Sequence, residues 1–317
     1  MAINSNVLYI VIPCYNEEAV VSETIKRLKS LVVEWINHDL ISKGSKLLFV
    51  NDGSSDNTWG IIEKTHEEDP FIGGVKLACN VGHQNALIAG LSIAVKLADI
   101  IVTIDADLQD DPTIIKEMIM NYKNGFDIVY GVRKERKSDT LFKRSTALLF
   151  YKLMKFLGVK SVYNHADFRL MSQRAVKQLL HYRERNLYLR GIVPLIGYKT
   201  SIVYYNRAKR FAGESKYPLA KMFNFAVDGI TSFSTKPVRM VFMIGVAFVL
   251  ISFSILLYVL YSLLITKNNV AGWASLILSI WFIGGILLIG IGIIGEYIGK
   301  IYIEVKNRPR FNIEKVI

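Results

Sequence analysis

Asp105-Ala106-Asp107 closes a short apolar run, Ile100 to Ile104. Side chains two apart in an extended chain point the same way, so both carboxylates can face one side. Two hard oxygen ligands side by side, with Gln109 two further on, suit Mg²⁺ or Mn²⁺ carrying phosphates. Taken alone the pair is more often turn or helix-capping chemistry, which Asp110, Asp111 and Pro112 would equally serve. A second polar loop, Asn51-Asp52-Gly53-Ser54-Ser55-Asp56-Asn57-Thr58, lies between a strand end and a helix start. Asp56 or Asn57 suits the helix N-cap. That leaves Asp52, on a Gly turn, to accept hydrogen bonds from a base N–H or ribose hydroxyls. In Val11-Ile12-Pro13-Cys14-Tyr15-Asn16-Glu17-Glu18, Tyr15 offers a face for a heterocycle, and Glu17 or Glu18 can reach polar groups of a ligand.

These loops need a frame. Val7 to Ile12 reads as a buried strand stopped by Pro13, with a helix from about Glu17 to Trp35. Lys46 to Val50, Gly74 to Leu77, Ile100 to Ile104 and Asp127 to Tyr130 read as further strands. Thr58 to His66, Gln84 to Lys96 and a segment opening at Pro112 read as helices between them. This alternation predicts an α/β fold with a doubly wound, mostly parallel sheet, whose ligands collect beyond the carboxyl ends of the strands.

Two later runs, Met240 to Ile265 and Val270 to Gly295, contain no acidic or basic side chain. About 20 apolar helical residues cross a bilayer, so both are long enough to span it. Only Thr266 to Asn269 separates them, which predicts a two-helix transmembrane hairpin. Lys236, Arg239, Lys300, Lys306, Arg308 and Arg310 flank its outer ends, against Lys267 at the tip, so the globular part and the C-terminal tail are expected to be cytoplasmic. The N-terminus has no basic n-region and does not read as a secretory signal. Two cysteines, Cys14 and Cys79, suit a reducing compartment and argue against a disulfide framework or a Cys-based zinc site.

The net charge of +12 calls for a negatively charged partner. Membrane lipid is a better match than nucleic acid, because basic residues gather from Arg133 to Lys160 and from Arg183 to Lys221, the latter leading towards the first apolar run. Two amphipathic segments, Leu141 to Leu157 and Tyr217 to Phe233, suit the bilayer interface or a cover over the globular domain. The organisation expected is a globular domain over 1–212, an interfacial helix over 213–237, a hairpin over 238–299 (spans at about 238–265 and 270–298) and a tail over 300–317. Gly284, Gly285, Gly290, Gly292 and Gly295 would let helices pack closely within one chain or in a homo-oligomer.

Together the three loops resemble those of the family-2 inverting nucleotide-sugar glycosyltransferases. Asp105 to Pro112 read as Asp-Ala-Asp-Leu-Gln-Asp-Asp-Pro, Asp167-Phe168-Arg169-Leu170, Gly213-Glu214-Ser215-Lys216-Tyr217, and Gly295-Glu296-Tyr297 leading to Asn307-Arg308-Pro309 narrow the likeness. They make nearly the whole chain similar to the polyprenyl-phosphate branch, with the dolichyl-phosphate mannose synthases and bactoprenol glucosyltransferases. Asp111 departs from a second Pro common there. The resemblance implies a GT-A-like domain that moves one sugar from a nucleotide sugar, UDP being preferred, to a polyprenyl phosphate. It implies that Pro13, Tyr15, Glu17, Asp52 and Asp105 hold the nucleotide, and that Asp105, Asp107 and Gln109 hold Mg²⁺ or Mn²⁺. It further implies catalytic roles for Asp107 and Asp167, with Arg133, Arg169, Arg207 and Lys216 near phosphates.

A phosphate monoester, with a second pKa of about 6, is already largely ionised near neutral pH, so a strong general base is not required. Asp167 is then expected to orient the acceptor, and to take a proton only from its monoanion fraction. Arg169 or another cation should offset its charge. A processive polysaccharide synthase would share the loops, but this chain lacks a Gln-x-x-Arg-Trp motif and the additional spans. A non-catalytic scaffold is disfavoured because both Asp105 and Asp107 are present.

Overall fold

A computed structural model describes residues 6–134, 165–185, 187–206, 208, 236–261 and 272–317. The two amphipathic segments and the hairpin tip lie outside them. The chain divides into two compact units, 1–151 with 160–219 and 308–317, and 152–159 with 220–307.

The first unit is built on an eight-stranded sheet in the order β7-β5-β6-β4-β1-β2-β3-β8. Its strands are β1 (Leu8–Cys14), β2 (Lys46–Asn51), β3 (Ile72–Leu77), β4 (Ile100–Thr103), β5 (Ile128–Arg133), β6 (His165–Ser172), β7 (Thr200–Tyr205) and β8 (Ile313–Val316). The β3-β2-β1-β4 half is wholly parallel, as expected, and β5 and β7 are also parallel. Strand order reverses beside β1, between it and β4, which opens a crevice where the loops after β1, β2 and β4 meet. The helices between strands are α1 (Glu18–Asn37), α2 (Thr58–Glu68), α3 (His83–Ala94), α4 (Ile115–Lys123, entered through a 3₁₀ turn at Pro112–Ile114), α5 (Gln173–His181) and the single turn α6 (Leu189–Ile192).

Pattern explains these elements. β1 is apolar throughout and buried along its whole length, as a strand covered on both faces must be. In α1, Val20, Val21, Thr24, Ile25, Leu28, Val32 and Trp35 form the buried stripe at helical spacing. In α3, Gly90 rides directly on the sheet: a Cβ there would lie 2.5 Å from Val11 Cγ1 and 2.6 Å from Val50 Cγ2.

One boundary differs instructively. Pro13 does not stop β1, which continues to Cys14 and pairs there with β2 (Pro13 with Val50, Cys14 with Asn51). On its other side the ladder with β4 has already ended at Val11 and Thr103, so proline's missing N–H breaks no bond. The antiparallel β6, inserted between β4 and β5, was not expected from the sequence, and neither were β7 and β8. β8 completes the sheet at its far edge, with Gly74 and Ile317 exchanging backbone hydrogen bonds of 3.0 and 2.9 Å. Its ion pairs, Lys76–Glu314 and Lys315–Glu63, are exposed and add little.

In the second unit, α7 (Lys236–Tyr261) and α8 (Trp273–Lys306) run antiparallel. Phe248 meets Phe282 with ring centroids 5.7 Å apart, and Gly290 lets Val241 approach closely. Among the described residues one stretch, Phe282–Lys306, is long and apolar enough to cross a membrane, and Pro237–Phe248 is a shorter apolar one. α8 outruns the expected span end at 298 because no proline interrupts it before Asn307, whose left-handed backbone (φ 44°) caps it ahead of Pro309.

The close seat of Gly90 sets a stability test. Gly90→Ala is expected to destabilise the fold by about 1–3 kcal/mol through overpacking against Val11 and Val50, lowering the thermal unfolding midpoint of the purified chain. An unchanged midpoint would show that α3 does not lie so near the sheet.

Candidate active site

The first two loops are stitched to each other. Asn16 N–H donates to Ser54 Oγ (3.0 Å), Ser55 N–H to Asn16 Oδ1 (2.9 Å), Glu17 N–H to Thr58 Oγ1 (2.9 Å) and Glu18 N–H to Asp56 Oδ2 (3.1 Å). Asn16 adopts a left-handed backbone (φ 53°) to make this fit. Asp56 also receives Thr58 N–H, from one residue before the N-cap of α2, which is Asn57 and makes no side-chain cap bond. Tyr15 projects from the joined loops, 49% exposed.

Two expected nucleotide contacts change role. Pro13 is buried within β1. Asp52 is 3% exposed, and its two oxygens accept from the N–H groups of Val81 (2.8 Å) and Gly82 (3.0 Å). It therefore braces the loop leading into α3 instead of standing open to a ligand. Gly53 is required beside it, since its backbone is left-handed (φ 62°) and a Cβ would lie 2.4 Å from Asn80 N.

Asp105 and Asp107 follow β4, and Thr24 Oγ1 from α1 fixes the residue between them by donating to Ala106 O (2.8 Å). Leu108 takes a left-handed backbone (φ 57°) that turns Gln109 N–H back onto Asp107 Oδ1 at 3.1 Å. A non-glycine residue held there is strain of the kind that collects at functional loops.

β6 supplies what faces this loop. Thr103 opposes Arg169 in the antiparallel register, and extending that register past the end of β4 sets Asp105 opposite Asp167. Between them stands His83, the first residue of α3, with Nε2 3.5 Å from Asp105 Oδ1 and 3.6 Å from Asp167 Oδ2. Arg169 holds Asp167 Oδ1, and Arg190 Nη2 lies 3.4 Å from Oδ2. Burial alone would raise the Asp167 pKa, but Arg190, His83 and Arg169 together hold it well below the usual carboxylate range. His83 is held above the usual imidazole value, Asp167 and Asp105 outweighing burial. Asp105 is pushed up to about 6, first by burial and then by Asp167, Asp110 and Asp107, against the pull of His83.

Asp110 does not cap the next helix; Asp111 does, accepting from Thr113 N–H at 3.0 Å. Asp110 is 2% exposed, and its Oδ1 accepts from Tyr205 O–H (2.5 Å) and Arg133 Nη2 (3.0 Å). Arg133 also donates to Tyr205 (3.2 Å), and Ala208 N–H to Gln109 O (2.9 Å). The ends of β5 and β7 are thus tied to the acidic loop. Arg133, expected near phosphates, is committed to Asp110. Arg169 is 1% exposed, too deep to meet a substrate phosphate, and is the counter-charge of Asp167. Arg207 and Lys216 lie outside the described residues.

The geometry brings Asp105, Asp107, Gln109 and Asp167 to one place and adds His83 and Arg190, which the sequence reading missed. His83 was findable: it follows β3, and the rule that ligands gather at strand ends applies to that loop too. Arg190 carries no such signal, sitting in a basic stretch read as directed at lipid.

This arrangement of loops has relatives. A model of "Glycosyl transferase family 2" matches residues 9–180. The chain belongs to that family. It is 53% identical over 308 residues to the uncharacterized glycosyltransferase YkoT of Bacillus subtilis, covering 97% of this chain and 91% of that one. It is 40% identical over 307 residues to the SfII prophage-derived bactoprenol glucosyl transferase of Shigella flexneri, covering 96% and 97%. Among solved structures, glucosyl-3-phosphoglycerate synthase from Mycobacterium tuberculosis is 19% identical with a TM-score of 0.48, covering 72% of this chain and 79% of that one.

The donor set of this glycosyltransferase fits a Mg²⁺- or Mn²⁺-sized cation. Asp105 and Asp107 offer hard oxygens, and Asp167, Asp110 and Asp107 add negative charge around Asp105. Among the described residues no group of three or more His, Cys, Asp or Glu side chains could hold a metal by itself. Such a cation would complete its shell with phosphate and water oxygens, as Mg²⁺ commonly does.

Two outcomes follow. Cation binding must displace the Asp105 proton, so affinity for Mn²⁺ should be flat above pH 6 and fall by up to about tenfold per unit below it, as read by titration calorimetry at pH 5 to 8. A profile flat down to pH 5 would remove Asp105 from the ligand set. Asp110→Ala, which removes the carboxylate that Arg133 and Tyr205 share, should cost about 3–5 kcal/mol, measured by denaturant unfolding; a loss under 1 kcal/mol would mean the network is not formed.

Proposed function

We propose that this glycosyltransferase moves one sugar, with inversion, from a nucleotide sugar to a polyprenyl phosphate such as undecaprenyl phosphate at the cytoplasmic face of a membrane, for cell-envelope glycosylation. The preferred donors are UDP-glucose and UDP-N-acetylglucosamine. The observation that carries the reading is the facing of Asp105 and Asp107 by Asp167 and its cations in one crevice. One side suits a diphosphate leaving on a divalent cation; the other suits an incoming anion. The similarity to bactoprenol glucosyl transferases over nearly the full length of both chains supports the acceptor class.

In this reading Tyr15 stacks on the nucleoside and Glu17 meets its hydroxyls. Asp105, Asp107 and Gln109 hold Mg²⁺ or Mn²⁺, which when bound neutralises the charge gathering on the departing diphosphate. The acceptor phosphate oxygen attacks the anomeric carbon from the opposite face, and the bond to the diphosphate oxygen breaks. Asp167 is too acidic to take a proton at neutral pH, and an acceptor already largely a dianion has little need of a base. Asp167 therefore organises charge and is not the proton acceptor.

The membrane reading is supported by α8 and by its antiparallel packing with α7, which we take as a two-span anchor. The tail beyond α8 supplies β8 to the sheet of the first unit. The basic residues flanking the outer ends of the two apolar runs support a cytoplasmic assignment for those ends.

The deciding measurement is a screen of labelled nucleotide sugars against a short polyprenyl phosphate, with and without Mg²⁺ or Mn²⁺. Lipid-linked sugar should form only when both are present. Asp105→Ala and Asp107→Ala should each reduce transfer by about 100-fold or more. Donor consumption independent of lipid and cation, or full activity in either variant, would refute the reading.

A further inference from the structure

Asp167 faces three basic side chains, of which it shares His83 with Asp105. Arg169 is sealed beneath it, its side chain 2% exposed, and needs that carboxylate as its own counter-charge. The other side of Asp167 turns to the crevice, where Arg190 lies 3.4 Å and His83 3.6 Å from Oδ2. There the exposure reverses: Arg190 keeps 35% of its side-chain surface and His83 43%, while Asp167 keeps 12%. The cations, not the carboxylate, are what an arriving ligand meets.

The contact with Arg190 is also weak. At 3.4 Å it stands beyond the usual length of a charge-assisted hydrogen bond. Redirecting the guanidinium to another anion would leave Asp167 still paired with Arg169. Arg190 and His83 share a frame as well, because Leu189 N–H donates to Gln84 Oε1 at 2.7 Å and so ties the start of α6 to the first turn of α3.

Resting on the phosphate-acceptor reading above, we propose that Arg190, with His83 Nε2 beside it, is the receptor for the acceptor's phosphate monoester, and that Asp167 aims Arg190 without touching the reacting atoms. A planar guanidinium can grip two phosphate oxygens and leave the third directed at the anomeric carbon. As that oxygen forms its bond to the sugar, the electron pair of the broken bond leaves with the nucleoside diphosphate. No proton moves when the acceptor is the dianion. Specificity for a lipid phosphate over the corresponding lipid alcohol then has a physical source: the alcohol offers no anion for Arg190 to hold.

The test compares wild type with Arg190→Gln, Arg190→Lys and His83→Gln in detergent, using a short polyprenyl phosphate, the matching polyprenol and a labelled nucleotide sugar. Affinity for UDP with Mn²⁺, read by calorimetry, monitors folding and the donor side. Arg190→Gln should raise the acceptor KM by about 10- to 100-fold while UDP affinity stays within about twofold. Arg190→Lys should recover part of the loss, and His83→Gln should show a smaller rise in acceptor KM. Wild type should discriminate against the polyprenol, and Arg190→Gln should narrow that preference. An unchanged acceptor KM in Arg190→Gln overturns the proposal, and so does a parallel loss of UDP affinity, which would put Arg190 on the donor side. A wild-type enzyme that binds UDP and Mn²⁺ yet glycosylates no polyprenyl phosphate overturns the acceptor reading itself, a different result from an active wild type with an indifferent Arg190.

Discussion

Two carboxylates facing each other past the end of a strand ladder set the problem that the rest of this site answers. Asp105 Oδ1 and Asp167 Oδ2 both lie within 3.6 Å of His83 Nε2, so they are no more than about 7 Å apart. At an effective dielectric near 20 their repulsion is about 2 kcal/mol before solvent screening. The fold resolves it asymmetrically. Asp167 has a buried arginine behind it and stays ionised, whereas Asp105 is pushed towards protonation, first by burial and then by the acids around it, against the pull of His83. One pair of acids thus becomes a fixed counter-ion and a cation-hungry ligand, by environment alone.

Holding that asymmetry requires loops that do not drift, and most of the polar sequence around the crevice is spent on it. The Ser-Ser-Asp-Asn-Thr run after Gly53 ties one loop to its neighbour, Asp52 grips the amides ahead of α3, and Asp110 draws the ends of β5 and β7 onto the acidic loop. Each bond is modest in net worth. Their arrangement matters more, because strands bordering the crevice are tied by side chains to loops that follow other strands. Asp167 itself is fixed through its backbone, Thr103 Oγ1 donating to its carbonyl oxygen.

The parallel half of the sheet was readable because its strands are short continuous apolar runs separated by helical periodicity, a pattern few other folds produce. The site was readable only in part. Asp105, Asp107 and Gln109 could be assigned from side-chain direction and ligand chemistry. Asp52 was read as reaching a ligand from its residue type and turn, and Pro13, Arg133 and Arg169 only through the family resemblance, but neither ground says which way a polar group turns. Burial decided that, turning Asp52 to a backbone turn and Arg133 to Asp110. β6 was missed for a related reason. Its Asp-Phe-Arg-Leu alternation resembles a half-exposed edge strand, yet it is central and buried, its two charges neutralising one another.

That central antiparallel strand is what joins the two halves of the chemistry. A parallel strand beside β4 would also have ended near Asp105, but its neighbours in sequence would then lead away through a crossover helix. Running the other way, β6 begins at the crevice, presents Asp167 three residues into the strand and Arg169 two residues later, and then descends into the core. The buried arginine is therefore placed below the carboxylate it neutralises, on the same face, by strand periodicity alone. The crevice side of Asp167 is left to cations from α3 and α6, elements outside the sheet. A site with acids at the ends of strands and cations mounted on separate helices keeps the two kinds of charge on different supports, which suits the proposed meeting of a leaving diphosphate with an entering phosphate.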